Sequence, residues 1–208
     1  MQSRLRPLYI VSHLSNSRAF IDDVLGRGAN GVELDTQFNS NCTPSRFFHG
    51  GTCNCGHEVN GSCGCASEYF CAQEGKIVQL LQYLRDRANP ENALYQPTFT
   101  GFVWLDLKLP YHDEMEEGGK YFGNVLLDDV FNSDSNGSRL HLGLEQYNIN
   151  DAPFVKGVSD QIKQRGRKDV VDRFGKDEYT ALIGVSSISK TAGTSTPTKK
   201  SFHGGRKV

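Results

Sequence analysis

Two charged pairs interrupt otherwise apolar, strand-like segments. In "GVELDTQF" (31–38), Glu33 and Asp35 alternate with Val32 and Leu34, and in "FVWLDLKL" (102–109), Asp106 and Lys108 alternate with Leu105, Leu107 and Leu109. Successive strand side chains point to opposite faces, so each pair lines one face while the aliphatic residues line the other. His13 ends the apolar run "PLYIVSH" (7–13), and His49 ends the short "RFFHG" (46–50). In parallel α/β folds, chemistry collects at the C-terminal ends of strands. Glu33, Asp35, Asp106, Lys108, His13 and His49 are therefore candidates for one pocket. Three carboxylates crowded in a place of low dielectric repel one another, and a divalent cation removes that cost. All-oxygen ligands favour Mg2+ or Ca2+ over zinc, and Mg2+ keeps coordination places for water and phosphate. Lys108 would supply a second positive charge for a phosphate oxygen. Two imidazoles beside a phosphate can serve as base and acid near neutral pH. Each feature alone has a plainer reading: an acidic pair on a solvated sheet face, a structural histidine, a lysine pairing with Asp106 or Glu33. The joint pattern favours the pocket. His57, His112, His141 and His203 do not share that pattern and are read as non-catalytic.

The elements needed to hold such a pocket are present. Strands are expected at 7–13, 31–38, 101–110, 138–147 and 179–188, with a short extension at 46–50. Helices are expected at 17–30, where Ser17 can cap and Phe20, Ile21, Val24 and Leu25 form an apolar stripe, and at 75–88, 112–131 and 152–166. Strand and helix alternate, which implies a parallel sheet with right-handed crossovers. No Gly-x-Gly-x-x-Gly follows the first strand, so nothing supports dinucleotide binding. The fold class expected is α/β, a TIM (β/α)8-type barrel truncated after about five strands, occupying 1–188 and followed by a disordered tail at 189–208 rich in Lys, Thr, Ser and Gly. Phe102 and Trp104 are expected to pack between sheet and helices.

Composition excludes several classes. The formal charge of −1 over 208 residues suits neither a basic nucleic-acid binder nor an acidic disordered chain. No apolar run is long enough to span a membrane, and no signal-like apolar core precedes the first strand. Six cysteines, Cys42, Cys53, Cys55, Cys63, Cys65 and Cys71, cluster in a loop at 42–71. An even, clustered set favours a disulfide-stapled, exported loop over a zinc knot, whose usual spacing is wider than Cys-x-Cys. Sequons at Asn41, Asn60 and Asn136 fit an exported chain.

The segments "RPLYIVSHLSNS", "GANGVELDTQF", "FFHGGTCNCG" and "FVWLDLKLP", together with "FVKGVSDQIKQRG", resemble the arthropod (spider and tick) sphingomyelinase D toxins, the dermonecrotic phospholipases D related to glycerophosphodiester phosphodiesterases. The resemblance runs from about residue 5 to about 188. It implies a (β/α)8 barrel with Mg2+ at its mouth, held by Glu33, Asp35 and Asp106. His13 would activate the nucleophile, His49 would protonate the leaving alcohol, and Lys108 would contact the phosphate. It further implies a secreted enzyme acting at membrane surfaces on sphingomyelin and lysophosphatidylcholine. Such an enzyme releases choline or ethanolamine as the lipid's own hydroxyl attacks phosphorus, leaving a cyclic phosphate. The cysteine loop is longer than the family's usual one, so pairing is not carried over. The family's last third, with its final strands and choline-pocket aromatic, finds no match before Val208. The rival readings are a glycerophosphodiester hydrolase and a non-catalytic, lipid-binding member. The sequence gives no basis for an oligomeric state.

Overall fold

The computed structural model describes residues 9–49, 75–110, 113–132, 138–145 and 152–167, and the backbone of 171–173 and 181–184. The expected tail at 189–208, Cys53, Cys55, Cys63, Cys65 and Cys71, the sequons at Asn60 and Asn136, and His57, His112 and His203 lie outside the described residues.

The chain runs β1 (Val11–Ser12), α1 (Arg18–Gly26), β2 (Gly31–Phe38), β3 (Pro44–Phe47), α2 (Ile77–Arg87), β4 (Phe102–Lys108), α3 (Met115–Val125), β5 (His141–Glu145), α4 (Ala152–Gln164), β6 (Val171–Arg173) and β7 (Ala181–Gly184). These strands form one sheet in the order β1-β2-β4-β5-β7-β6, with β3 pairing β2. The neighbours β1, β2, β4 and β5 are mutually parallel, each reached through a helix. This is the β/α order of a TIM-barrel-type fold, and among the described residues the sheet does not close on itself. The 179–188 segment departs from the expected parallel pattern. Its strand β7 lies antiparallel to β5, and β6, which the sequence did not suggest, pairs antiparallel with β7. Hydrophobic period reports that a segment is a strand but carries no information about its direction.

One face of the sheet is aliphatic and carries the helices. Val32, Leu34, Val103, Leu105, Leu142 and Leu144 are fully buried, together with Ile21, Leu80, Leu81, Leu84, Phe122, Leu126, Phe154 and Val158 from the helices. Burying each such side chain contributes about 1.5–3 kcal/mol, so this layer carries most of the fold's stability. Helix α1 starts where expected, with Ser17 Oγ accepting from Phe20 N–H. It ends at Gly26, and Gly28 at φ +103 turns the chain back toward β2. Helix α3 passes into a π-helical turn, Leu126–Val130, closed by Phe131 N–H bonding Leu126 O and anchored by Arg85 donating to Val130 O.

The opposite face holds the polar set. The parallel register places Gly31 beside Phe102, Glu33 beside Trp104, Asp35 beside Asp106 and Gln37 beside Lys108. Phe102 and Trp104 therefore share the carboxylates' face and do not pack under the helices, a correction that follows from their even spacing with Asp106 and Lys108. Trp104 lies across β5 at Gly143, where a Cβ would come within 2.3 Å of the indole.

Cys42 is also corrected. It is a free thiol, fully buried against Gly118, at the left-handed φ of +57. It is a core residue, not one of a stapled pair. Burial, and then the charge of Glu114, hold its thiol above the usual pKa. Alkylating the denatured but unreduced protein should place the label on the Cys42 peptide, whereas native alkylation should spare it. A Cys42 peptide recovered as a disulfide would overturn the assignment.

Candidate metal centre and active site

Strands β2 and β4 deliver the three carboxylates because register and parity coincide. Glu33, Asp35 and Asp106 each offer an oxygen, all within 4.8 Å of one another, and all three residues are buried. Asp35 Oδ1 and Asp106 Oδ1 are buried and accept no hydrogen bond among the described residues. Buried carboxylate oxygens without donors are costly, and a cation is the partner that suits them. A buried acidic triad of this kind can bind a metal ion.

Lys108 enters the cluster from the end of β4. Its ammonium bonds Asp106 Oδ2 and stands 3.3 Å from Asp35 Oδ1, a charge contact without hydrogen-bond alignment. Burial works against the Lys108 cation, but the hydrogen bond and charge of Asp106, with the charge of Asp35, outweigh it and raise its pKa. Burial pushes the Glu33 and Asp106 carboxyls up. For Glu33 the Leu14 N–H and His13 oppose that rise while Asp35 and Asp106 add to it; for Asp106 the Lys108 ammonium opposes it. Three acids therefore sit where two resist ionisation.

The histidines stand over this cluster. His13 follows β1, is 66% exposed, and holds its Nε2 3.4 Å from Glu33 Oε2. His49 follows β3, whose approach to the site is held by Phe48 N–H bonding Asp35 O at 2.9 Å. The two imidazole rings face each other edge to face with centroids 6.4 Å apart. His141 sits elsewhere, at the opposite end of β5, with Nδ1 2.7 Å from Arg139 O. The structure thus brings all six candidate residues to one end of the sheet.

The sequence reading missed what holds them. The turn after β1 runs through Leu14 at φ +60, a conformation that costs a non-glycine residue about 1–3 kcal/mol. That geometry aims Leu14 N–H at Glu33 Oε2, 2.8 Å away, while Ser15 N–H bonds Glu33 O at 2.9 Å. Asn16, also in this turn, bonds Asp35. Its only outward sign in sequence is an amide three residues after His13.

Known proteins resemble this chain over most of its length. A family model described as "Dermonecrotic toxin SPH" matches residues 3–204. Dermonecrotic toxin LiSicTox-alphaIA2bi of Loxosceles intermedia is 32% identical over 194 residues, which is 91% of this chain and 59% of that protein. LiSicTox-alphaIA2aii of the same spider is also 32% identical over 194 residues, covering 64% of its length. LsSicTox-alphaIA1 of Loxosceles similis is 30% identical over 187 residues, 89% of this chain and 62% of the toxin. The chain spans about three fifths of the length of the first of these relatives. Among the described residues, no helix is long and apolar enough to cross a membrane.

Proposed function

The chain belongs to the dermonecrotic toxin SPH family, and from that premise we propose that this cluster is the centre of a secreted, Mg2+-dependent phospholipase D of the sphingomyelinase D kind. The observation that carries the reading is the joint placement of three buried carboxylates, two of them with undonated oxygens, under two imidazoles and a lysine. Glu33, Asp35 and Asp106 would hold Mg2+, and the acceptor-only oxygen set suits a hard cation. Bound there, Mg2+ supplies charge neutralisation for a phosphodiester.

The chain's own groups account for the proton movements. His13 is exposed at the rim, with its Nε2 toward Glu33, whose negative charge steadies an imidazolium once formed. It accepts the proton of the lipid's own hydroxyl as that oxygen forms a bond to phosphorus. His49, across the gap, donates a proton to the choline or ethanolamine oxygen as the P–O bond to it breaks. Lys108, kept charged by Asp106 and Asp35, would hold a phosphate oxygen. The products are a cyclic phosphate and the free amino alcohol. The substrates would be sphingomyelin and lysophosphatidylcholine presented at a membrane surface.

Phosphorus NMR of these lipids incubated with the protein tests the reading. A cyclic phosphate that needs Mg2+ and falls at least about a hundredfold in rate in His13→Ala is the expected result, the scale of a lost general base. A phosphomonoester product would point to a glycerophosphodiesterase-type hydrolase instead. Lipid binding without any product would assign the chain a binding role and overturn the catalytic one.

A further inference from the structure

We propose that Asn16 is a positioning residue that limits Asp35 to one metal-facing oxygen and thereby favours Mg2+ over Ca2+; this rests on the metal reading above. Asn16 is buried to 1% exposure in the turn after β1. Its carboxamide grips Asp35 at two points. Asn16 Nδ2 donates to Asp35 Oδ2 at 2.8 Å, and Asp35 N–H donates to Asn16 Oδ1 at 2.9 Å. The amide thus ties the Asp35 carboxylate to its own backbone and fixes which oxygen is spent. Oδ2 is engaged, and Oδ1 is left without a hydrogen bond.

The consequence concerns how a cation can be held. Ca2+ accepts six to eight oxygens and readily takes both oxygens of a carboxylate, whereas Mg2+ demands compact octahedral geometry with single oxygens from each ligand. Glu33 is restrained in the same sense, since Leu14 N–H occupies its Oε2. Each of the three carboxylates therefore has one oxygen already engaged, Glu33 Oε2 by Leu14 N–H, Asp35 Oδ2 by Asn16 and Asp106 Oδ2 by Lys108, while Asp35 Oδ1, 3.3 Å from the Lys108 ammonium, accepts no hydrogen bond. The same four-residue turn carries His13, so the base and both restraints come from one segment. Hydrogen-bond partners of metal ligands typically change metal affinity by about 10–100-fold.

The test is calorimetric titration of the full chain with Mg2+ alone and with Ca2+ alone, for wild type, Asn16→Ala and Asn16→Asp, with melting in EDTA as the check on folding. Asn16→Ala frees Asp35 Oδ2 and should weaken Mg2+ by about 10–100-fold while weakening Ca2+ less, so that the Mg2+/Ca2+ preference falls. Asn16→Asp keeps an acceptor for Asp35 N–H but sets an acceptor against Oδ2. It should lose the Mg2+ preference as well, and it reads the proposal if the alanine variant does not fold. A merely structural role would lower the melting temperature and leave the preference unchanged, which overturns the proposal. Wild type that binds neither ion overturns the metal reading and this inference together. Wild type that binds Mg2+ with a preference unaltered in the folded variants overturns this inference alone.

Discussion

Glu33→Gln should stabilise the metal-free chain while nearly abolishing its binding of divalent cations. Glu33 is buried beside Asp35 and Asp106, and burial is the largest cause of its raised pKa. The charged form is therefore disfavoured in the folded state. Glutamine keeps the shape and an oxygen for the Leu14 N–H, which is 2.8 Å from Glu33 Oε2 in the native site, removes the charge and replaces the second oxygen with a neutral amide donor. The gain should appear as a higher melting temperature in EDTA, because the folded state no longer has to hold that charge out of water. The same change deletes a ligand, so its cost to binding exceeds the roughly 10–100-fold typical of a ligand's hydrogen-bond partner. Mg2+ at about a hundred times the wild-type Kd stabilises wild type by about 2.7 kcal/mol, and it should leave the variant's melting unchanged. A variant that melts lower in EDTA, or one that Mg2+ stabilises as well as wild type, would show that the carboxylate repulsion has been misread.

The pH dependence has a definite sign. Glu33 and Asp106 have folded pKa values above their unfolded ones. As pH falls from neutral through those raised values, the folded state takes up protons that the unfolded chain does not. Their contribution to stability therefore rises on acidification and levels off below the ordinary carboxylate range. In EDTA the melting temperature should climb as the pH is lowered from neutral into that window, with a shallower climb in Glu33→Gln. Saturating Mg2+ reverses the trend, because protons and metal compete for the same oxygens.

The legible part of this site is what strand periodicity encodes. Parity alone put Glu33 with Asp35 and Asp106 with Lys108, and the register of β2 against β4 then made the two pairs neighbours. Parity also contained the correct placement of Phe102 and Trp104. The expectation that large apolar residues lie under helices overrode it, although this face too has room for an indole above Gly143. Asn16 and Leu14 were out of reach for a different reason. A turn has no period, and their partners lie 19 residues away in β2. Cys42 misled through counting, since an even number of cysteines says nothing about which one the core claims. The direction of β7 is set by pairing with β5, a contact no local pattern announces.

The glycines of α3 and α4 were equally silent in the sequence, and they carry the largest expected loss of stability. A Cβ on Gly119 would stand 2.1 Å from Phe154 O, and one on Gly157 would stand 2.1 Å from Glu116 O. Both obstacles are backbone atoms, which cannot rotate aside as a side-chain end can. The helices would have to move apart by about 1 Å, opening the contacts of Phe154 with Phe122 at 6.0 Å and with Phe38 at 5.0 Å. Two effects oppose each other. Replacing a mid-helix glycine by alanine gains about 1 kcal/mol in helix propensity. Overpacking costs about 1–3 kcal/mol, and more where nothing can relax. With a backbone atom as the obstacle the cost falls at the top of that range, so Gly157→Ala and Gly119→Ala should each lose a net of about 2 kcal/mol, about 4–8 °C in melting temperature. Gly26→Ala, with nothing within 4 Å of the added carbon, is the control and should be neutral or slightly stabilising. If all three behaved alike, the close approach of α3 and α4 would be wrong. If only the seam variants fall, the consequence should reach the site: α3 is the next element after the strand that carries Asp106 and Lys108, and Mg2+ affinity should fall along with stability.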